Sequence, residues 1–282
     1  MLDTLSFLYN RRKTSKKGIR FIFCINSGRA GSEYLATLLG TAPMAHSFHE
    51  PEPQMIGSYL RSVARNGLQK TFADRRIKSK AIVKIASQYP AQSVYIETNH
   101  MFIKTFQDVV LNDLRNVQVV HLQRGLLQTL KSFVELCYFS DKNRAWPDWM
   151  ISPNAQTAAI KPIDADDKLD CIDLSIAYLI DIEARAVAFR QKYPHIPFHE
   201  IDINDLNDLS KTKTLFGDLN LSFTAETGKI VGEKINQRAS TKKKYASQVT
   251  EEELQERIRA YLEKGQKLGI EFPDRVLKQS WL

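Results

Sequence analysis

The sequence predicts an α/β fold: a central, mainly parallel sheet flanked by helices. Three observations carry this. Short apolar runs rich in β-branched and aromatic residues recur along the chain, several are followed at once by a segment of helical periodicity, and the runs are apolar at successive positions. A strand of that last kind is buried on both faces, and helices on both sides of a parallel sheet provide the cover.

Taken in order, "IRFIFCIN" at 19–26 reads as the first buried strand, and "SEYLATLLG" at 32–40 as a helix ending at Gly40. "SVYIET" at 93–98 and "VQVVHL" at 117–122 repeat the strand signal. Helical patterns follow them, "FIKTFQDVVLNDL" at 102–114 and "LLQTLKSFVEL" at 126–136. The long amphipathic segment 169–193 precedes a fourth strand, "IPFHEI" at 196–201. Residues 140–165, with Trp146, Pro147, Trp149, Pro153 and Pro162, read as an irregular insertion, and 227–245 as a polar basic loop before a last helix from Thr250. No internal repeat is evident, and the expectation is one domain over residues 1–282.

Length and composition agree: 282 residues, 43% of them hydrophobic, can bury one large core. Forty Lys and Arg against thirty-two Asp and Glu give a net charge of +8, which suits an anionic ligand. Basic residues cluster at Arg11–Lys17 and Lys242–Lys244 without the basic and aromatic interleaving of an RNA-binding sheet, so nucleic acid is not the expected partner. Cys24, Cys137 and Cys171 lack metal-ligand spacing and sit in apolar patterns, as free thiols in a reducing compartment do. "LSFLY" is too short, and on the wrong side of its basic cluster, for a secretory signal, and no stretch approaches a membrane span. The sequence therefore reads as that of a soluble, cytoplasmic protein.

The turn between the first strand and its helix, "NSGRAGS", carries the chemistry. Backbone N–H groups and the positive end of the helix dipole converge there, so an anion is the natural occupant. Gly28 and Gly31 permit close backbone approach, Ser32 offers a hydroxyl and Arg29 a forked charged donor. The nucleotide-kinase spacing, with Lys followed by Ser or Thr, is missing, and a tight turn with glycines for geometry alone is the competing reading. A second grip lies in "VVHLQRGLLQTLKSF", where Arg124 ends a strand and Ser132 follows on the next helix.

Together the two stretches resemble the paired signature of sulfotransferases that use 3′-phosphoadenosine 5′-phosphosulfate (PAPS), whose fold resembles that of P-loop nucleotide kinases. The resemblance implies that Ser27, Gly28, Arg29, Ala30, Gly31 and Ser32 hold the 5′-phosphosulfate, and that Arg124 and Ser132 hold the 3′-phosphate. It implies PAPS as donor substrate, 3′,5′-adenosine bisphosphate as product, no metal, and a carbohydrate or other small-molecule hydroxyl as acceptor. The chain departs from the family in having Arg29 where many members have Lys, and Glu33 where many have a second Ser or Thr. Glu33 also suits the first turn of a helix facing away from the loop. In place of the family's late glycine-rich loop, "GKIVGEKINQRASTKKK" offers Asn236, Arg238, Lys242 and Lys243 as nucleotide contacts, or else a solvated basic loop.

Sulfuryl transfer to a hydroxyl needs a base for the acceptor's proton and a preorganised cation for the leaving phosphate. Arg29 is the cation. Glu50, in "HSFHEPEP" where the chain returns across the mouth of the site, is the first choice of base, with His49 and then His46 as rivals. In "YIETNHMF", Glu97, Asn99 and His100 end a buried strand, where open α/β sheets place ligands, and His100 is a further candidate base; structural hydrogen bonds explain each as well. His121, inside an apolar strand, reads as a packed core histidine, and Trp146 and Trp149 either stack on a sugar or pack down the insertion. The enzyme alternative is an ATP-dependent small-molecule phosphotransferase needing Mg²⁺ and acidic ligands, for which no convincing set appears. The other alternative is a nucleotide- or anion-binding module without turnover.

Overall fold

The computed structural model describes residues 2–164, 168–232 and 249–281. Strands β1 (Arg20–Ile25), β2 (Ala45–His49), β3 (Val94–Thr98), β4 (Val117–Gln123) and β5 (Phe198–Asp202) form one sheet in the order β2-β3-β1-β4-β5, with every neighbouring pair parallel. The first strand thus sits in the middle, and the loop that leaves it opens at the centre of the sheet's C-terminal edge.

Side chains alternate across the strands, and the two apolar layers follow. Phe21, Phe23 and Ile25 of β1 join one core, while Ile22 and Cys24 join the other. Both sets are buried, which is why this strand reads as unbroken hydrophobicity rather than alternation. On the second side lie α2 (Ser32–Leu39) and α9 (Leu209–Asp218). The first, larger core takes in α1 (Leu2–Lys16), α3 (Ser58–Lys70, broken at Gly67), α4 (Phe72–Ala86), α5 (Gln107–Asp113), α6 (Leu126–Glu135), α8 (Cys171–Lys192) and α11 (Glu251–Lys267).

The sequence leads one to expect four strands; the sheet has five. The extra strand, β2, occupies residues read as a loop returning across the site. It is short, lies at the edge, and none of its five residues is fully buried, so it lacks the apolar run that marks the other strands. Its register against β3 pairs His49 with Thr98, and so brings the candidate base region to the C-terminal end of the sheet.

The helix expected over 102–114 is two pieces. A single π-helical turn, Phe102–Phe106, runs into α5. Such turns are rare and cluster at functional sites. The insertion is irregular apart from α7 (Trp146–Trp149). Of the expected basic loop, Thr227 to Ile230 belong to α10 (Ala225–Ile230), whose Thr224 and Thr227 form a capping box. A last short helix, α12 (Asp274–Leu277), packs on α8. Among the described residues no helix is long and apolar enough to cross a membrane.

Candidate functional site

The loop after β1 is shaped by a buried asparagine and three left-handed residues. Asn26 Oδ1 accepts the Gly28 N–H at 2.9 Å, and its amide nitrogen contacts Cys24 Sγ at 3.5 Å. Gly28, Arg29 and Gly31 have φ of 82°, 57° and 91°. Successive residues of this kind turn backbone N–H groups toward one concavity. Gly31 caps α2 without any side-chain hydrogen bond, which leaves the first-turn N–H groups facing the loop. A Cβ at Gly28 would make a tight 3.3 Å contact with His100 Nδ1, and one at Gly31 would be 2.4 Å from Ile203 Cδ1, so both glycines are needed for backbone conformation and Gly31 for space as well. Ser27 Oγ donates to the Gly28 carbonyl at 2.9 Å, Ala30 is buried in the α2-side core, and Ser32 is buried at the helix start. Glu33 is exposed on the first turn, and its charge acts on Glu50 across the site.

The second grip adjoins the first. Arg124 follows β4 directly and its Nη1 donates to the Arg29 carbonyl at 2.7 Å, while Arg29 Nε lies 3.4 Å from Ser132 Oγ on α6. Burial, and then the charge of Arg29, lower the Arg124 pKa from its ordinary value. Two guanidinium groups held this close repel, and a bound anion would offset that repulsion. Arg275 of α12 supports Arg124 from behind: its Nη2 donates to the Arg124 carbonyl at 3.2 Å, and the same side chain contacts Glu183 at 3.2 Å and Asp202 at 3.4 Å.

On the other side of the loop, Glu50 sits just past β2 with φ 49°. Its Oε1 is 3.5 Å from His100 Nε2 and 3.9 Å from His49 Nε2. His49 Nδ1 pairs with the Thr98 carbonyl at 2.9 Å, which leaves Nε2 toward Glu50. Burial raises the Glu50 pKa, against the opposing pull of His49 and Lys104. Lys78, itself buried, ties the region down by donating to Glu97 Oε1 at 2.7 Å and to the Pro51 carbonyl at 2.9 Å. Glu97 also accepts from Tyr95 and Asn99, so of the two readings of Glu97 and Asn99 the geometry fits the structural one. His46 stacks flat on Tyr89.

Sequence reasoning missed Lys104. It lies in the π-helical turn, fully buried, with Nζ 2.7 Å from His100 Nδ1, 2.9 Å from the Trp149 carbonyl and 3.1 Å from Tyr178 Oη. Tyr178 donates in turn to the Ser27 carbonyl at 2.8 Å, joining the Glu50 side of the site to the glycine loop. The signal was there: a lysine flanked by Phe102, Ile103 and Phe106 on a buried segment needs partners. Trp149 packs its ring over His100 and Trp146 packs on Phe139.

His121 is buried within β4, as expected, but its ring nitrogens face Glu183 at 3.5 Å and Glu200 at 3.6 Å beside a cavity of about 790 Å³. Among the described residues no group of three His, Cys, Asp or Glu could hold a metal ion. Asn236, Arg238, Lys242 and Lys243 lie outside the described residues.

Comparison with known proteins gives one kind of match. No family model matches the sequence, and no curated protein matches it. Among solved structures the chain is similar to a sulfotransferase domain from the curacin biosynthetic pathway, with 16% identity over 90% of this chain and 99% of that one at a TM-score of 0.46. It is similar also to the sulfotransferase domain of the Synechococcus PCC 7002 olefin synthase, with 10% identity over 90% and 96% at 0.49. A third is the sulfotransferase STF1 of Mycobacterium tuberculosis, with 15% identity over 91% and 81% at 0.47. All three are sulfotransferases.

Proposed function

We propose that the chain is a PAPS-dependent sulfotransferase acting, as one domain, on a hydroxyl of a carbohydrate or other small molecule. The observation that carries the reading is the junction of two anion grips through Arg29, which presents its backbone to Arg124 and its guanidinium to Ser132. A donor phosphorylated at both ends of its ribose matches two such grips. The glycine-lined concavity and the α2 N-terminus suit the phosphosulfate, and Arg124 with Ser132 suits the 3′-phosphate.

In this reading the acceptor hydroxyl loses its proton to the Glu50 carboxylate while its oxygen forms a bond to sulfur. The bond from sulfur to the phosphate bridging oxygen breaks, and its electron pair leaves on the phosphate, where Arg29 and the loop N–H groups stabilise the charge. Three free cysteines favour a reducing, cytoplasmic setting for this chemistry.

The test is incubation of the purified protein with PAPS and a panel of sugar and small-molecule hydroxyl acceptors, with mass spectrometry for 3′,5′-adenosine bisphosphate and for a sulfated product. Formation of both in equal amounts supports the reading; binding without either product supports a module without turnover.

A further inference from the structure

The buried lysine fixes a role for His100, an inference that rests on the sulfotransferase reading. The imidazole stands between two groups: Nδ1 faces Lys104 Nζ at 2.7 Å, and Nε2 faces Glu50 Oε1 at 3.5 Å. The other two neighbours of Nζ both accept hydrogen bonds. One is the Trp149 carbonyl; the other is Tyr178 Oη, whose own proton is used on Ser27. A neutral amine has two protons, and these acceptors take both. The contact between Nζ and Nδ1 then holds one proton, and its position sets the tautomer of the ring.

Two arrangements contain the same number of protons. In one, an ammonium donates to Nδ1, Nε2 carries its hydrogen toward Glu50, and Glu50 is ionised. In the other, Nδ1–H donates to a neutral amine, the bare Nε2 faces Glu50, and Glu50 must hold a proton to avoid setting a lone pair against a carboxylate. Only the first leaves Glu50 able to accept a proton from a substrate.

The charges around the chain of contacts bear on this choice. Burial pushes Lys104 well down and Glu50 up, while the Glu50 charge raises Lys104 and the Lys104 charge lowers Glu50, so each supports the ionised form of the other across the ring. Arg185 opposes the lysine charge but is paired with Asp181 at 2.6 Å. Glu97 opposes the Glu50 charge but is paired with Lys78, Glu33 is exposed, and His49 favours the carboxylate. His49 and Lys104 act on His100 itself, both lowering its pKa along with burial and so favouring a neutral ring.

We propose that Lys104 is a positioning residue that, as an ammonium, holds His100 in the Nε2–H tautomer aimed at Glu50, so that Glu50 rather than His100 takes the acceptor's proton. The wild-type protein tests this without turnover, by nitrogen-15 spectroscopy of its labelled histidines at neutral pH, with His100→Gln to assign the signal. A neutral ring protonated at Nε2 is expected; protonation at Nδ1, or at both nitrogens, overturns the proposal. Because no donor is present, this result stands or falls independently of the sulfotransferase activity. Where turnover is measurable, Lys104→Met is expected to move the acidic limb of kcat/KM to higher pH by about one unit or more, with donor KM changed less than about threefold. An unmoved limb also overturns it. Should that variant not fold, the wild-type tautomer decides alone.

Discussion

Arg124 and Arg29 are joined by a hydrogen bond of 2.7 Å, in which the guanidinium of one donates to the backbone carbonyl of the other. The residue that follows β4 therefore braces the loop that follows β1. Arg124→Ala is expected to weaken binding of 3′,5′-adenosine bisphosphate by about 10- to 100-fold, the range for losing a hydrogen bond to a charged group. Ser132→Ala removes a neutral hydroxyl and is expected to cost less. Isothermal calorimetry measures both; unchanged affinity in Arg124→Ala would remove it from the nucleotide site.

Gly31 combines φ 91° with an approach to Ile203 so close that a Cβ would lie 2.4 Å from its Cδ1. Gly31→Ala is expected to destabilise the fold by roughly 1–3 kcal/mol through backbone strain plus the clash. Adding Ile203→Ala should recover the steric part and leave the strain. Urea denaturation of the single and double variants measures this, and an unchanged midpoint in Gly31→Ala contradicts the packing described.

Much of this was legible beforehand. β1, β3 and β4 announce themselves because both faces are buried, and the edge strand β5 is marked by its short run "IPFHEI" after a long amphipathic helix. Arg29, Arg124 and Ser132 meet because strand ends in a parallel sheet lie side by side. β2 does not announce itself, since an edge strand with half-exposed side chains carries no apolar run. Lys104 was hidden for a different reason: its partners, His100, Trp149 and Tyr178, are brought together by a π-helical turn, an irregular insertion and a distant helix. No local pattern encodes that meeting.

Glu50 is a buried carboxyl whose pKa is raised, mainly by burial. A carboxyl raised in the folded state binds protons more readily there than when unfolded, so stability falls as pH rises from the ordinary carboxylate range through the raised value. Glu50→Gln is thus expected to melt higher than wild type at neutral pH, with the difference shrinking in acid, and to lose turnover by roughly 10²-fold or more. Thermal unfolding across pH checks the first part. A variant less stable than wild type at neutral pH would mean that Glu50 contributes more as a structural partner of His49 and His100 than its burial costs.

His121 is raised as well, but there the charged form stabilises the fold instead of destabilising it. Burial lowers its pKa, but Glu183 and Glu200 outweigh burial and hold it raised, while both carboxylates are lowered. A raised imidazole stabilises below its unfolded value of about 6.5 and stops doing so as pH rises through the folded one; lowered carboxylates stabilise until acid protonates them. The stability lost in His121→Gln is therefore expected to be greatest at about pH 5 to 6.5 and smaller on both sides. A loss independent of pH would reduce His121 to a packing residue.

The central claim is that two adjoining anion grips select a nucleotide phosphorylated at both the 3′ and 5′ positions. Thermal unfolding with AMP, with ATP and Mg²⁺, and with 3′,5′-adenosine bisphosphate, each with and without chelator, tests it most directly. An unfilled 3′ grip leaves buried donors unpaired at roughly 1 to 3 kcal/mol, so the bisphosphate is expected to raise Tm more than AMP or ATP does, with or without chelator. Stabilisation by ATP that requires Mg²⁺, with no preference for the 3′-phosphate, would contradict the account.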